Sequence, residues 1–247
     1  MKKITSVNNE YIKKIASLKL KKYREEYRLF FVEGYHLVKE ARKANILMEV
    51  LIVDEKDYLE GFNNLLVTEE IIKKIANTVS PQNIIGICKI EEEKFEFGEK
   101  ILVLDDLQDP GNLGTLVRTA LGFGFTNIIL STNSIDIYND KFLRATQGAF
   151  FKTNIITGNL EEWILKLKEK GYYVIGTGLI NSKDIEDVGF PKNIVLILGN
   201  EGSGIKKEIL NICDVVAKIS INEDLESLNV MVAGGILMYM IASKTKF

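Results

Sequence analysis

Histidine and cysteine are nearly missing from this chain: His36 is the single histidine, and Cys88 and Cys213 are the two cysteines, among 247 residues. One histidine and two distant cysteines cannot make a zinc site, and the two thiols have neither metal nor disulfide spacing. With no serine, cysteine or second histidine in a matching frame, His36 reads as a packing or capping residue rather than a base. There is no G-x-x-x-x-G-K-[ST], so an ATP P-loop is excluded. No G-x-G-x-x-G follows the first strand, and the Asp109–Gly114 glycines have the wrong spacing for one. No apolar run reaches membrane-span length, and the first residues lack a signal-peptide apolar core. Internal repeats and low-complexity tracts are also lacking. The expectation is a cytoplasmic protein with no metal and no membrane partner.

A hydrophobic content of 46% with 27% charged residues fits a globular chain with real cores. The formal net charge of −2 conceals a strong asymmetry. Residues 1–43 hold 12 Lys+Arg against 5 Glu, residues 44–99 hold 5 against 12, and residues 100–247 hold 15 against 17. The basic charge sits where Lys13, Lys14, Lys19, Lys21, Lys22, Arg24 and Arg28 interleave with Tyr11, Tyr23 and Tyr27. A solvated helix face is one reading of such a run, and a nucleic-acid surface is the other. Ile12, Ile15 and Leu18 give the same segment an apolar stripe at helical spacing.

The remaining pattern is an alternation of strands and helices, which means an α/β protein. Strands are expected at 29–33, 50–53, 65–68 and 84–90, with helices after Gly34 and over 69–76. The charged stretch 91–94 is the best linker, dividing the chain into domains at 1–95 and 96–247. A second alternation follows: strands at 101–104, 127–130, 151–155 and 172–176, with helices at 113–123, 139–146 and 160–170. Trp163, Ile164 and Leu167 stand at helical spacing and read as core.

The chain is organised around residues 193–240. The run 194–198, IVLIL, is apolar on both faces, as a strand covered on both sides must be. It empties into Gly199-Asn200-Glu201-Gly202-Ser203-Gly204. A second strand, 215–221, leads through a polar loop to Ser227-Leu228-Asn229, with Ser227 the expected cap of the last helix. Two loops at strand ends, each opening a helix, are where open α/β sheets bind nucleotide-like ligands.

These two loops resemble the second and third motifs of the SpoU/TrmH-type RNA 2′-O-methyltransferases of the SPOUT superfamily. The segment from Gln108 to Ala120, QDPGNLGTLVRTA, is similar to the first. The glycine-rich loop of Rossmann-type methyltransferases is missing. The resemblance implies a small N-terminal L30e-like α/β domain that binds substrate, followed by a SPOUT α/β domain with a deep trefoil knot. It implies S-adenosyl-L-methionine as cofactor and RNA as partner, with a homodimer as the working unit. It implies cofactor contacts at Gly199, Ile219 and Leu228, with Leu198 and Gly178 flanking the same strand ends. Asn112, Arg118, Glu201 and Asn229 become the catalytic set, with Arg118 as the residue that activates the ribose 2′-hydroxyl. Its neighbours Leu116, Val117, Ala120 and Leu121 suggest an arginine that is not simply exposed. Lys13, Lys14, Lys21, Lys22 and Arg24 become the RNA contacts. Three departures stand out: Met231 for a serine, Ser220 for a proline and Thr146 for a serine; the first two bear on cofactor affinity. The appended N-terminal domain points to 23S-type ribosomal RNA. The alternatives are a tRNA 2′-O-methyltransferase, or a non-catalytic RNA-binding or ribosome-assembly protein with the same fold.

Overall fold

A computed structural model describes residues 1–92 and 94–245. The chain packs as two compact units, Met1–Glu92 with Asp136–Phe151, and Glu93–Ile135 with Lys152–Phe247.

The first unit begins with β1 (Lys2–Ile4), α1 (Glu10–Ser17) and α2 (Lys21–Tyr27). It continues through β2 (Leu29–Glu33), α3 (Tyr35–Lys43), β3 (Leu47–Ile52), β4 (Asn63–Val67), α4 (Glu69–Ile75) and β5 (Ile84–Lys89). The five strands form one mixed sheet in the order β1-β4-β3-β5-β2. The charged segment expected as one helix is two, because the chain turns between Leu18 and Leu20. The stripe Ile12, Ile15 and Leu18 is buried against Ile71, Ile72 and Ile75 and one face of the sheet. Cys88 is buried within β5, and burial pushes its thiol up; Cys213 in the second unit, partly buried, is pushed up to about 11. Both are protonated, inert thiols at neutral pH.

The second unit opens with β6 (Lys100–Leu104), α5 (Pro110–Gly122) and β7 (Asn127–Ser131). The chain then makes an excursion that the boundary expected after residue 95 does not anticipate: residues 136–151, carrying α6 (Asp140–Ala145), pack with the first unit. Strand pleating puts Phe30 and Phe31 on opposite faces of the edge strand β2. Phe31 joins the Ile12–Ile75 cluster, and Phe30 is covered by Tyr138 and Phe150 at ring-centroid distances of 4.8 and 6.0 Å. The strand expected at 151–155 starts later, because left-handed Gln147 (φ 48°) turns the chain into a short 3₁₀ segment, Ala149–Lys152.

The second unit resumes with β8 (Asn154–Gly158), α7 (Leu160–Glu169), β9 (Tyr173–Thr177), β10 (Lys183–Asp184), β11 (Ile194–Leu198), α8 (Lys207–Asn211), β12 (Val215–Lys218) and α9 (Val230–Thr245). Its seven strands run in the order β10-β12-β9-β11-β6-β7-β8, all parallel. The apolar run of β11 is fully buried at the middle of this sheet, paired with β6 from Ile194 opposite Lys100 to Leu198 opposite Leu104. Ile164 and Leu167 are core residues, and Trp163 packs against the same cluster. Helices α5 and α9 approach closely at Gly234, where a Cβ would stand 2.6 Å from Leu116 and 2.7 Å from Leu198.

Candidate cofactor site and nucleic-acid interface

Strand β11 delivers the chain into Gly199 with almost no room to spare. A Cβ there would meet the backbone of Gly204 at 2.2 Å and of Ile205 at 2.3 Å, so only glycine fits. The loop closes on itself: Asn200 and Gly204 exchange backbone N–H···O bonds of 3.0 Å each. Asn200 also shapes the turn from within. Its Oδ1 accepts from the N–H groups of Gly202 and Ser203 at 2.9 and 3.1 Å, and its Nδ2 donates to Asp106 O at 2.8 Å.

An ionic clamp fixes the far end of the loop. Lys206 donates from its backbone to Asp105 Oδ2 at 3.0 Å, and its ammonium lies 3.3 Å from Asp105 and 2.7 Å from Asp106. That ammonium holds the Asp106 carboxyl below the usual carboxylate range, and Asp106 raises Lys206 in return. Asp106 itself takes a left-handed backbone (φ 55°) and is further tied to Ser131. Sequence reasoning missed Asn200, Lys206, Asp105 and Asp106. The available signal was an Asp-Asp pair directly after the apolar run 101–104, where carboxylates without partners would be costly.

Against this loop lies a cleft of about 450 Å³, within the range of small-molecule sites. Gly178, Leu198, Gly199, Ile219 and Leu228 all line it, although they come from four separate stretches of chain. Its wall is mainly apolar, with Glu201 and Lys218 the charged residues among those lining it. Strand β12 stops at Lys218, short of the expected 221, so Ile219 and Ile221 leave the ladder and turn to the cleft. There Ser220, the residue standing for a proline, donates to Asp184. A slot with backbone donors and acceptors, apolar walls and few charges fits a molecule with an adenine ring and a sulfonium centre.

Asn112 donates from Nδ2 to Glu201 Oε1 at 2.8 Å, joining the start of α5 to the glycine loop. Asp109 sets that position by capping α5, accepting from the N–H groups of Gly111 and Asn112 at 2.7 and 2.9 Å. Asn229, not Ser227, heads α9: its Oδ1 accepts from Met231 N at 2.8 Å. Arg118 is exposed on α5, which corrects the expectation of a shielded arginine. Leu113, Leu116, Val117 and Ala120 form the buried stripe, and position 118 lies outside it, with exposed Thr115 and Gly122.

In the first unit the basic residues divide. Lys13, Lys14, Lys21 and Lys22 are exposed. Lys13 pairs with Glu10 at 2.7 Å and Lys21 with Glu25 at 3.7 Å, contacts that water screens heavily. Arg24 is different. It is only 8% exposed, donates to Leu18 O and Lys19 O at 2.6 and 2.8 Å, and pairs with Asp136. Its guanidinium is committed inside the unit, so the expectation of a surface RNA contact at Arg24 does not match its placement.

Residues 99–239 match the model of the SpoU rRNA Methylase family, and residues 9–86 match that of the MRM3-like substrate binding domain. The chain belongs to the SpoU rRNA methylase family. It is 36% identical over 244 residues to the Bacillus subtilis "23S rRNA (guanosine(2553)-2′-O)-methyltransferase RlmP", covering 97% of this chain and 98% of that one. The AdoMet-bound rRNA methyltransferase from Sinorhizobium meliloti superposes with a TM-score of 0.89 at 31% identity, covering 100% of this chain and 99% of that one. The A. aeolicus TrmH/SpoU tRNA modifying enzyme, at 26% identity and a TM-score of 0.53, covers 61% of this chain and 77% of its own. The relative named for a tRNA thus covers about three fifths of this chain, and the two named for ribosomal RNA cover nearly all of it.

Proposed function

We infer that this protein is an S-adenosylmethionine-dependent RNA ribose 2′-O-methyltransferase acting on 23S-type ribosomal RNA. The observation that carries the reading is the convergence of Gly178, Leu198, Gly199, Ile219 and Leu228 on one cleft, with Asn112 hydrogen-bonded to Glu201 in its wall. The full-length likeness to an enzyme named for 23S rRNA supports the substrate. Main chain at Gly178, Gly199 and Leu228 and the Ile219 side chain would hold the cofactor, which supplies an electrophilic methyl group.

The remaining chemistry belongs to the chain's own side chains. Arg118, exposed and always charged, is suited to grip the phosphate beside the target ribose and to stabilise the alkoxide as the 2′-hydroxyl loses its proton to solvent water. It is a poor proton acceptor, so a literal base role does not suit it. Asn112, held by Glu201, would orient the ribose, and Asn229 fixes the start of α9 beside Leu228. In-line placement supplies much of the remaining acceleration.

The same reading assigns RNA affinity to the exposed lysines of the first unit and methyl transfer to the second, and places the work in the cytoplasm. It also carries the trefoil knot and the homodimer. Over residues 230–242 helix α9 is apolar on every face, yet Val232 and Tyr239 are 50% and 58% exposed, as a helix awaiting a second copy would be. A traced crystal structure tests the knot. A monomer in sedimentation at micromolar concentration, with activity intact, would remove the dimer.

The deciding experiment maps ribose methylation across total RNA with and without the protein. The expected result is the loss of one ribosomal site, the guanosine equivalent to that in the relative's name being the first to examine. A lost tRNA site would overturn the substrate, and a lost base methylation would overturn the chemistry. Calorimetry with S-adenosylmethionine separates the enzyme from a non-catalytic binder, which would show no heat at millimolar cofactor.

A further inference from the structure

Of the three tyrosines interleaved with the basic run, the structure sets one aside. The Tyr11 hydroxyl donates to Glu49 at 2.7 Å, and burial together with that carboxylate raises its pKa. Tyr23 and Tyr27 are otherwise disposed. One turn apart on α2, their rings stack with centroids 5.9 Å apart and planes 20° from parallel. Tyr27 leans on the buried cluster beneath α1, which holds the pair still. Helix α2 buries only Arg24, so these rings are half-exposed without being core.

Each ring carries a lysine. Lys14 lies 4.4 Å from the Tyr27 centroid and Lys22 4.7 Å from that of Tyr23. Among the described residues neither lysine is in an ion pair, whereas Lys13 and Lys21 have carboxylate partners. Seven Lys and Arg stand against three Glu over residues 10–28. A ring face covered by an exposed ammonium is held weakly, and a nucleobase stacks on an aromatic ring more strongly than such an ammonium does. A base that displaces the lysine head also brings a phosphate for it to meet.

We propose that Tyr23 and Tyr27, with Lys14 and Lys22, form a stacking site for an unpaired nucleobase of the RNA substrate. The first unit then reads single-stranded loop RNA in preference to duplex, whose bases are stacked away from such a platform. The inference rests on the RNA-binding role proposed above for this unit.

The test titrates the full chain into a single-stranded oligoribonucleotide carrying 2-aminopurine, and into a duplex of equal length, at several salt concentrations. The expected result is quenched 2-aminopurine fluorescence with the single strand. Tyr23→Leu with Tyr27→Leu should abolish the quenching and weaken single-strand binding about tenfold or more, leaving its salt slope and its duplex binding in place. Tyr23→Phe with Tyr27→Phe should retain both affinity and quenching. Lys14→Ala with Lys22→Ala should instead flatten the salt slope. Far-UV circular dichroism and cofactor titration check that each variant is folded. If the leucine variant binds and quenches like the parent while the lysine variant weakens binding, the stacking site is overturned and the RNA face stands. An equal loss on duplex also overturns it. If neither variant affects RNA binding, the RNA-binding role of this unit falls and the stacking site with it.

Discussion

Arg24 in the first unit and Arg118 in the second both sit on helices, one in a charged run and one among apolar neighbours, and the fold treats them in opposite ways. The Arg24 side chain is nine-tenths buried, with two carbonyls at the end of α1 taking up Nη1 and the Asp136 carboxylate taking up Nη2. Arg118 is on the solvent side of α5, whose apolar stripe is buried and meets α9 at Gly234. What separates them is the supply of acceptors. A guanidinium is buried where chain ends and carboxylates converge to receive it, and is left outside where the helix offers only side chains already packed. Proximity in sequence to Leu116, Val117 and Ala120 said little about Arg118, because residues one or two apart on a helix do not share a face.

Replacing Arg24 by Met is the sharpest way to break this comparison. It leaves Asp136, a mostly buried carboxylate, without its ion-pair partner, and should destabilise the first unit by about 3–5 kcal/mol. Denaturant unfolding reads the loss. A variant of parental stability whose RNA affinity fell with a reduced salt slope would restore Arg24 to the RNA surface. Arg118→Ala should do the reverse. An exposed substitution of this kind shifts stability by under about 0.5 kcal/mol. Methyl transfer should fall about 10²–10³-fold with cofactor affinity unchanged, as on removal of one transition-state donor. Turnover retained by this variant would sink the role given to Arg118.

Part of this fold is legible in the sequence alone. The glycine loop, the buried run of β11 and the parallel alternation are local signals, since covered strands and tight turns are written in adjacent residues. Gly178, Leu198, Gly199, Ile219 and Leu228 could be grouped only through the resemblance of whole motifs, and the structure brings them to one cleft. What stayed hidden is long-range. Nothing near residue 136 announces that its carboxylate meets Arg24, 112 positions earlier. Likewise Lys206 and Asp105, 101 positions apart, form their clamp only because β6 and β11 are neighbours in the sheet. The cap of α9 was misplaced by two residues because Ser227 and Asn229 are both good caps, and only the backbone decides between them.

The cofactor loop sharpens the comparison from the other side, since its shape depends on backbone rather than on a charge. Gly199→Ala would push a methyl group into the backbone of Gly204 and Ile205. The cost is about 1–3 kcal/mol of strain, which the loop can relieve only by opening. Calorimetry should show cofactor affinity reduced about 5- to 150-fold, with the thermal stability of the first unit unchanged. Parental affinity in this variant would mean that the loop does not shape the cleft.

The smallest effect is expected at the clamp that closes the same loop. Asp106 is held below its usual pKa chiefly by its hydrogen bond to Lys206, so its folded pKa lies under its unfolded one. A carboxylate shifted this way contributes stability that is fully present above the unfolded pKa and is lost as pH falls through the folded value. The contribution should therefore be complete at neutral pH and fade only below the ordinary carboxylate range of about 4. Lys206 is about half exposed, with 47% of its side chain accessible, so solvent screens the pair and the gain stays under about 1 kcal/mol. Asp106→Asn, which removes this charge and leaves Lys206 with the buried Asp105, should lower stability by that amount at pH 7 and flatten the acid limb of the stability–pH curve, with the difference from the parent vanishing in strong acid. Thermal unfolding followed across pH 2.5 to 7.5 reads it. A constant difference between variant and parent over that whole range would mean that Asp106 acts through hydrogen bonds that an amide also makes and not through its charge.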